Sequence, residues 1–132
     1  MQLVTPIDVE DALAAELGAR MPTHGVFAAP APDNVAAGSV VIQSLGSVRQ
    51  TAVSDAFEVV AYCYAASYAD AMALGTSVSA QIRAIQASGP SVTGVGWTTT
   101  DAKAPYDDPD PDRPTLRRAT VRATVAARGI AI

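Results

Sequence analysis

The stretch from Phe57 to Ile85 constrains the fold more than any other part of the chain, because a strand pattern runs directly into a helix pattern. Residues 57–64 alternate between two faces, which is typical of a strand with one buried side. Ser67 stands where a helix N-cap belongs, with Asp70 in the first turn. We therefore predict a helix over about residues 68–86, in a unit that packs but carries no catalytic motif. The two strand faces are Phe57, Val59, Ala61 and Cys63 on one side and Glu58, Val60, Tyr62 and Tyr64 on the other, and the helix repeat is Ala71, Leu74, Val78, Ile82 and Ile85.

The N-terminal residues predict a helix followed by a long connection. Thr5 is predicted as the N-cap of a helix over about residues 6–20, since a proline and several acidic residues occupy its first turns. Residues 21–38 are rich in Ala, Pro and Gly and predict an irregular connection across the surface. Val26 and Phe27 are the apolar residues expected to hold this connection down.

Three further strands complete the pattern. Residues 39–48 predict a strand that forms a hairpin with the Phe57 strand and has a bend or bulge at Gly46, and residues 91–100 predict a weaker strand. Residues 101–114 predict a loop, because their prolines lack backbone donors. Residues 115–127 predict a final strand that alternates cleanly. Its inward residues are Ala119, Val121, Ala123 and Val125, and its outward residues are Arg118, Thr120, Arg122 and Thr124.

These elements follow one another in the order α-β-β-α-β-β, and 132 residues suffice for one compact domain. The sequence therefore predicts a single domain, residues 1–132, of the α+β class. We expect a small two-layer sandwich in which two helices pack on a mixed or antiparallel four-stranded sheet. Tyr62 and Tyr64 share the strand face opposite Phe57. Either the helices cover that face or it meets a neighbouring molecule, and both alternatives stay open.

Charge is distributed unevenly along the chain. Residues 1–112 hold all 13 acidic residues and have a balance of −9, whereas residues 113–132 hold five arginines, no acid and a balance of +5. A basic last strand on an acidic body bears on association and partners. Nucleic acid is one partner to consider, but a pI near 4.7 and the lack of aromatic residues among the arginines are untypical of a dedicated binder.

The chain shows no targeting or membrane signal. Its N-terminus lacks the basic and apolar regions of a signal peptide, and no apolar run approaches the roughly 20 residues that a spanning helix needs. Cys63 is the single cysteine, which excludes an internal disulfide. We expect the chain to fold in a cytoplasm and to have no membrane partner.

A cluster of aspartates in the predicted loop is the strongest candidate for a metal site. Carboxylate oxygens suit a hard cation, but Pro109 and Pro111 stiffen the backbone between the acids, and the glycine and glutamate of an EF-hand loop are missing. We predict a solvated or partner-facing loop and no metal site. The four acids are Asp107, Asp108, Asp110 and Asp112.

The remaining reactive residue types form no catalytic pattern. His24, the single histidine, is predicted as an exposed loop residue, and no G-x-S-x-G nucleophile motif is present. Cys63 lies on the apolar strand face and is predicted as a small buried side chain. Trp97 is either an interface anchor or a core residue. The sequence predicts no enzyme, no catalytic residue and no cofactor.

Four segments together carry a family resemblance. They are the acidic helix PIDVEDALAAELGAR, the strand SVVIQSLGS, the strand and helix FEVVAYCYAASYADAMALGTSVSAQIRAI, and the loop and strand YDDPDPDRPTLRRATVRATV. In element order and composition, residues 6–128 resemble the tail terminator, or tail completion, proteins of long-tailed bacteriophages. The resemblance implies a small α/β sandwich that forms a hexameric ring. Such a ring caps the tail tube, stops its elongation and offers a docking face to the head connector.

The resemblance also implies a set of partners. These are further copies of the chain, the tail tube protein and the head-to-tail connector or head completion protein, in the virion tail at the neck. DNA is expected to pass through the channel without specific binding. Because a ring interface joins two different patches, Arg118 and Arg122 are expected to contact acids of a neighbouring subunit or a stacked tube ring rather than DNA. The alternatives are another connector or neck protein, or a small cytoplasmic ligand-binding domain or enzyme. The candidate interface residues are Trp97, Tyr106, Asp107, Asp108, Asp110, Asp112, Arg117, Arg118 and Arg122.

Overall fold

The computed structural model describes residues 3–87 and 91–131, which form two helices and a mixed sheet. The elements are β1 (Val4–Thr5), α1 (Val9–Arg20), β2 (Val26–Ala28), β3 (Val40–Arg49), β4 (Ser54–Ala65), α2 (Tyr68–Ala87), β5 (Trp97–Ala102), β6 (Tyr106–Asp107), β7 (Arg117–Arg128) and β8 (Ile130–Ala131). The main sheet has the order β2-β3-β4-β7-β5, with β6 also pairing with β7, and β1 pairs with β8 in a separate ribbon. Strand β2 runs parallel to β3, and the other pairs are antiparallel.

The predicted α+β fold with two helices and a multi-stranded sheet is confirmed, but the predicted strand number and element order are wrong. The main sheet has six strands because two short segments add to it. Strand β2 lies in the connection predicted as irregular and pairs with residues 40–42. Strand β6 lies in the predicted loop between Pro105 and Pro109, and it pairs with residues 119–120. Prolines on both sides leave only residues 106–108 able to donate to β7, and the Asp108 N–H donates to the Arg118 carbonyl at 2.9 Å.

The strand predicted over residues 91–100 starts too early. Gly94 has a φ of 78° and its N–H hydrogen-bonds the Ser91 carbonyl, so the segment begins as a turn. Strand β5 starts only at Trp97 and continues to Ala102, inside the segment predicted as a loop. By contrast, the bulge predicted at Gly46 is confirmed, since the β3–β4 register shifts between Ser44 and Gly46.

Helix α1 begins later than predicted. Thr5 lies in β1, opposite Ile130, and is therefore not the N-cap. Asp8 takes that role, because its side chain accepts a hydrogen bond from the Asp11 N–H at 3.3 Å. Aspartate and threonine are both favourable N-cap residues, so residue type does not choose between Thr5 and Asp8. The choice follows from the pairing of Thr5 with Ile130, which holds Thr5 in a strand.

Helix α2 matches its prediction closely. The Ser67 hydroxyl accepts from the Asp70 N–H at 3.2 Å and caps the helix as expected. The predicted end at residue 86 is within one residue of the observed end. Its predicted stop over residues 88–90 lies outside the described residues. The predicted apolar repeat is buried: Ala71, Leu74, Val78, Ile82 and Ile85.

Both helices pack on the same face of the sheet, which we call the inner face. The inward residues predicted for β4 and for the greater part of β7 belong to this main core, whereas Ala119 packs in a small satellite cluster with Ala65 and Ala71. Within the described residues, neither helix combines the length and apolar character needed to cross a membrane. The sheet therefore has an inner face that makes the core and an opposite, outer face that the helices leave uncovered. The core residues from the sheet include Val40, Ile42, Phe57, Val59, Ala61, Cys63, Val121, Ala123 and Val125.

Truncation of Phe57 tests this assignment of the inner face. Phe57 is 4% exposed, so Phe57→Ala should lower the free energy of unfolding by about 3 to 5 kcal/mol, measured by urea denaturation. Val48→Ala on the neighbouring strand is the control, because Val48 is 71% exposed and should cost less than about 0.5 kcal/mol. Equal small losses for both variants would show that the faces of β4 are reversed.

Candidate functional site: a buried aspartate and its arginines

The most organised polar site of the described chain lies on the outer face of the sheet, at one end of β4 and β7. Tyr64 stands opposite Arg118 in the strand register, and Tyr62 stands opposite Thr120. The loop that follows β6 folds back over this end and brings Asp110 onto Tyr64. Tyr64 is only 2% exposed because an irregular segment of the same chain covers it, which the sequence did not predict, whereas Tyr62 is half-buried. The helices do not cover this face, and contact with a neighbouring molecule stays a prediction.

Asp110 is the centre of this site. Its carboxylate accepts hydrogen bonds from the Tyr64 hydroxyl at 2.9 Å and from the Arg113 guanidinium at 3.0 Å. The backbone N–H of Asp112 donates to its other oxygen at 3.0 Å. An Arg118 nitrogen lies 3.6 Å away. Asp110 itself is 7% exposed, so a buried charge is stabilised by several donors at once.

Arg118 joins this aspartate to a second one. Its guanidinium donates to the backbone carbonyl of Asp108 at 2.7 Å and to the Asp108 carboxylate at 3.2 Å. The Thr120 hydroxyl donates to the same carboxylate at 2.8 Å. The guanidinium also lies over the Tyr62 ring, 4.5 Å from its centroid, which suits a cation–π contact. We call Tyr64, Asp108, Asp110, Arg113 and Arg118 the Asp110 cluster.

Arg113 ties a third segment into the cluster. Its guanidinium donates to the carbonyl of Pro32 at 3.3 Å and lies 5.7 Å from the centroid of the Tyr64 ring. The connection before β3 is thereby linked to the loop before β7. Beside the cluster is an open groove of about 460 Å³, lined by residues that include Pro30, Gln43 and Tyr62.

The pKa shifts of Asp110 and Tyr64 favour a structural role for the cluster over acid–base catalysis. Burial disfavours the charged form of Asp110, yet its pKa is lowered, because hydrogen bonds and the charge of Arg118 outweigh burial. Burial raises the pKa of the Tyr64 hydroxyl above its ordinary value. The carboxylate therefore stays charged and the phenol protonated near neutral pH. A general acid or base needs a pKa close to the working pH, and neither of these groups meets that condition.

The structure brings together part of the predicted interface set. Arg117 and Asp107 form an exposed ion pair at 3.7 Å, and the Arg117 guanidinium lies 5.8 Å from the centroid of the Tyr68 ring. Tyr106 lies in β6 beside Thr120, and it is exposed. The Asp112 side chain is exposed as well.

Arg118 and Arg122 differ in their surroundings although both lie on the outer face. Arg118 is paired within its own chain with Asp108 and Asp110, which the sequence did not predict. Arg122 is exposed and lies within 4.0 Å of no carboxylate in the described part of the chain. Contact with the acids of a neighbouring subunit was predicted for both arginines. It stays a prediction chiefly for Arg122, because Arg118 already pairs within its own chain.

Trp97 pairs with Ala127, at the opposite end of β7 from Arg118, and contacts a different buried carboxylate. It packs against the main core, and its indole N–H donates to Glu16 at 3.4 Å. Glu16 is fully buried in α1 and also accepts from the Ser91 hydroxyl and from the N–H and hydroxyl of Thr93. Burial disfavours the charged form of Glu16, but these hydrogen bonds outweigh burial and lower its pKa. Trp97 thus belongs to the core and to the anchoring of residues 91–97.

The other reactive side chains have structural surroundings. The His24 ring nitrogen hydrogen-bonds the Gly38 carbonyl at 2.9 Å, so the predicted exposed histidine is half-buried. The prediction of a buried Cys63 is confirmed, and burial raises the pKa of its thiol to about 12. Within residues 3–87 and 91–131, no three side chains of the metal-binding types come together to hold an ion.

Sequence reasoning missed Tyr64, Arg113 and Glu16 as members of buried polar sites. Strand alternation placed Tyr64 on the outer face but could not show that the loop would fold over it. Glu16 lies three residues after Leu13 and directly before Leu17, on the buried side of the helix. A charged residue at that spacing is the signal that could have identified it. Comparison with known proteins adds no assignment, since no protein-family model matches the chain and no curated protein matches its sequence.

Replacement of Asp110 tests the role of the cluster. Because the folded-state pKa is lowered, the carboxylate stabilises the fold above its unfolded pKa of about 3.9, and this stabilisation is lost as the pH falls through the folded-state value. Asp110→Asn should lower the free energy of unfolding at pH 7 by about 2 to 3 kcal/mol. The difference from the unsubstituted chain should shrink in acid, measured by urea denaturation between neutral pH and about pH 2.

Asp112→Asn is the matched control, because the Asp112 side chain is exposed and only its backbone N–H contacts Asp110. This variant should change stability by less than about 0.5 kcal/mol at any pH. A loss for Asp110→Asn that is independent of pH would assign its effect to packing rather than to charge.

Proposed function

We propose that the chain is a ring-forming assembly protein of the tail terminator type. In this proposal several copies, six by the family resemblance, close a ring on the finished tail tube of a long-tailed bacteriophage. The ring stops elongation and presents a docking face to the head connector or head completion protein. DNA passes through its channel, and the protein acts in the virion at the neck.

The observation that carries the proposal is the outer face of the sheet. Loops cover this face at the Asp110 cluster, whereas Glu58, Arg122 and Thr124 remain exposed across β4 and β7. A polar, charged sheet face of this kind is suited to contact with another protein surface of complementary charge. The acidic body of the chain, with a balance of −9 over residues 1–112, supplies acids for such a contact.

The internal pairing of the reactive groups favours assembly over a binding or catalytic role. Tyr64, Asp110, Arg113 and Arg118, which line the groove at Tyr62, form hydrogen bonds within the Asp110 cluster, whereas the Asp112 side chain is exposed. A ligand pocket usually directs a few polar groups toward the space that the ligand fills. The observed pairing instead directs Asp110 and Arg118 toward each other, which supports a structural use of the cluster.

Charge reversal at Arg122 tests the proposal without breaking the Asp110 cluster. Reversal of Arg118 would remove its pairs with Asp108 and Asp110, so Arg122 is the cleaner position. Arg122→Glu should leave the melting temperature unchanged and weaken self-association by about tenfold, measured by sedimentation velocity over a range of concentrations.

Arg122→Lys is the control, because it keeps the positive charge and should assemble like the unsubstituted chain. If Arg122→Glu self-associates as strongly as the unsubstituted chain, the outer face around Arg122 is not part of the interface. A chain that stays monomeric at every concentration, with any residue at this position, would contradict the ring itself.

A further inference from the structure

The hairpin that joins β3 to β4 lies at one end of the sheet, beside the end of β7, and exposes apolar side chains. We call residues 45–53 the arm. Leu45 is 47% exposed, Val48 71% and Val53 49%. Single exposed apolar residues are ordinary, but three within nine residues of one hairpin make this surface a candidate for contact with another molecule.

The arm also carries the open edge of the main sheet. Strand β2 covers β3 only along residues 40–42, and the Glu10 carboxylate accepts from the Ser44 N–H at 2.7 Å. From Leu45 to Arg49, β3 has β4 on one side and no described strand on the other. An uncovered edge of this kind readily takes up a further contact.

The opposite edge of the sheet is closed by side chains of α2. The Arg83 guanidinium donates to the Ala102 carbonyl at 2.8 Å, and the Gln86 amide donates to the Thr98 carbonyl at 2.7 Å. These bonds satisfy backbone groups of β5 that would otherwise accept from another strand. The two edges therefore differ: side chains of α2 bond to β5, whereas β3 has no described strand beside residues 45–49.

Hydrogen bonds within the chain stabilise the conformation of the arm. The Arg49 side chain donates to the carbonyls of Thr51 and Ala52 at 3.1 and 3.2 Å. The Gly129 N–H donates to the Val53 carbonyl at 2.7 Å, which fastens the arm to the end of β7. A preformed element loses little conformational entropy on binding, so the arm is suited to insertion into a neighbour.

A groove of matching character lies at the other end of the sheet. It lies between the start of α2 and the loop before β3, and its volume is about 460 Å³. Its lining is mostly small and apolar, with Asp70 as its carboxylate, and the His24 bond to Gly38 holds one wall in place. The lining residues are His24, Ala37, Gly38, Ala65, Ala66, Asp70, Ala73, Leu74 and Ser77.

We propose that the arm of one copy inserts into this groove of the next copy. Apolar side chains of the arm would fill a groove lined by small residues, and the positive charge of Arg49 would face Asp70. Strand β4 separates the two surfaces, since it runs from Ser54 at the arm to Ala65 at the groove, about 36 Å by strand rise. The arm of a chain therefore cannot fill its own groove.

The contact is head to tail, because it joins two different surfaces of identical copies. Such a heterologous contact closes a ring when the rotation between copies closes, and otherwise extends a filament. The inference rests on the proposed function in that it names the contact that joins the ring. An arm that instead pairs with a second arm would give a two-fold dimer, and the experiment below separates the two arrangements.

Cysteine cross-linking in the full chain tests the inference. The double variant Val48→Cys with Ala73→Cys should form a reducible ladder of covalent oligomers on mild oxidation, because each arm then meets a groove. The native Cys63 is buried and its pKa is raised to about 12, so it should not take part. Val48→Cys with Ala80→Cys is the control, since Ala80 is exposed on the same helix but outside the groove lining.

A charge exchange gives a second readout. Arg49→Asp and Asp70→Arg should each weaken self-association by about tenfold, and the double variant should recover most of the loss, measured by sedimentation. Recovery identifies a contact between the two positions, because the internal bonds of Arg49 are lost in the single and in the double variant alike.

Other results would overturn the inference. Efficient dimers from Val48→Cys alone would indicate arm-to-arm pairing. Assembly of normal mass without the arm-to-groove ladder would exclude this contact while leaving the ring intact. A chain that neither assembles nor cross-links would contradict both the contact and the proposed function.

Discussion

The antiparallel pairing of β4 with β7 is the constraint on which the rest of the structure depends. The two strands pair without interruption from Ser54 opposite Arg128 to Ala65 opposite Arg117. Because successive side chains point to opposite faces, this register places Phe57 and Val125 inward and Tyr64 and Arg118 outward. A slip of one residue would move the apolar set to the outer face and the arginines into the core. The register thus fixes both the core and the polar site.

Two buried carboxylates then attach the irregular segments to this frame. Asp110 holds the loop before β7 on the outer face, and Glu16 holds residues 91–97 against α1. In each case several donors surround one charge, so the cost of burial is offset by hydrogen bonds. Loss of one donor leaves the others in place, whereas loss of the carboxylate leaves several buried donors without their acceptor. These anchors hold irregular connections in place in a chain with few aromatic residues.

Local periodicity explains which parts of the fold could be predicted. Helix α2, the bulged strand β3 and the alternating strands β4 and β7 were predicted because their patterns repeat over many residues. Strands β2 and β6 were not predicted, since each has only two or three residues and depends on a partner distant in sequence. The helix start moved from Thr5 to Asp8 for the same reason, because the pairing of Thr5 with Ile130 is non-local.

The polar site shows the same limit. Alternation along β4 and β7 placed Tyr64 and Arg118 on one face, and that prediction is confirmed. It could not show that Asp110, 46 residues from Tyr64, would fold back onto it and take up Arg118. Pairing between a strand and a loop depends on the path of the loop, which has no repeating pattern. The choice between contacts within a chain and contacts between chains therefore required coordinates.

The inner face of the sheet makes the core, and we propose that the remaining surfaces serve the contacts of a ring. Electron microscopy of the purified full chain tests this most directly, with class averages viewed down the symmetry axis. If the chain forms a ring as proposed, the averages should show closed rings of identical subunits around a central channel. Particles that remain monomers or two-fold dimers at all concentrations, on a tail tube template as well as in solution, would contradict it.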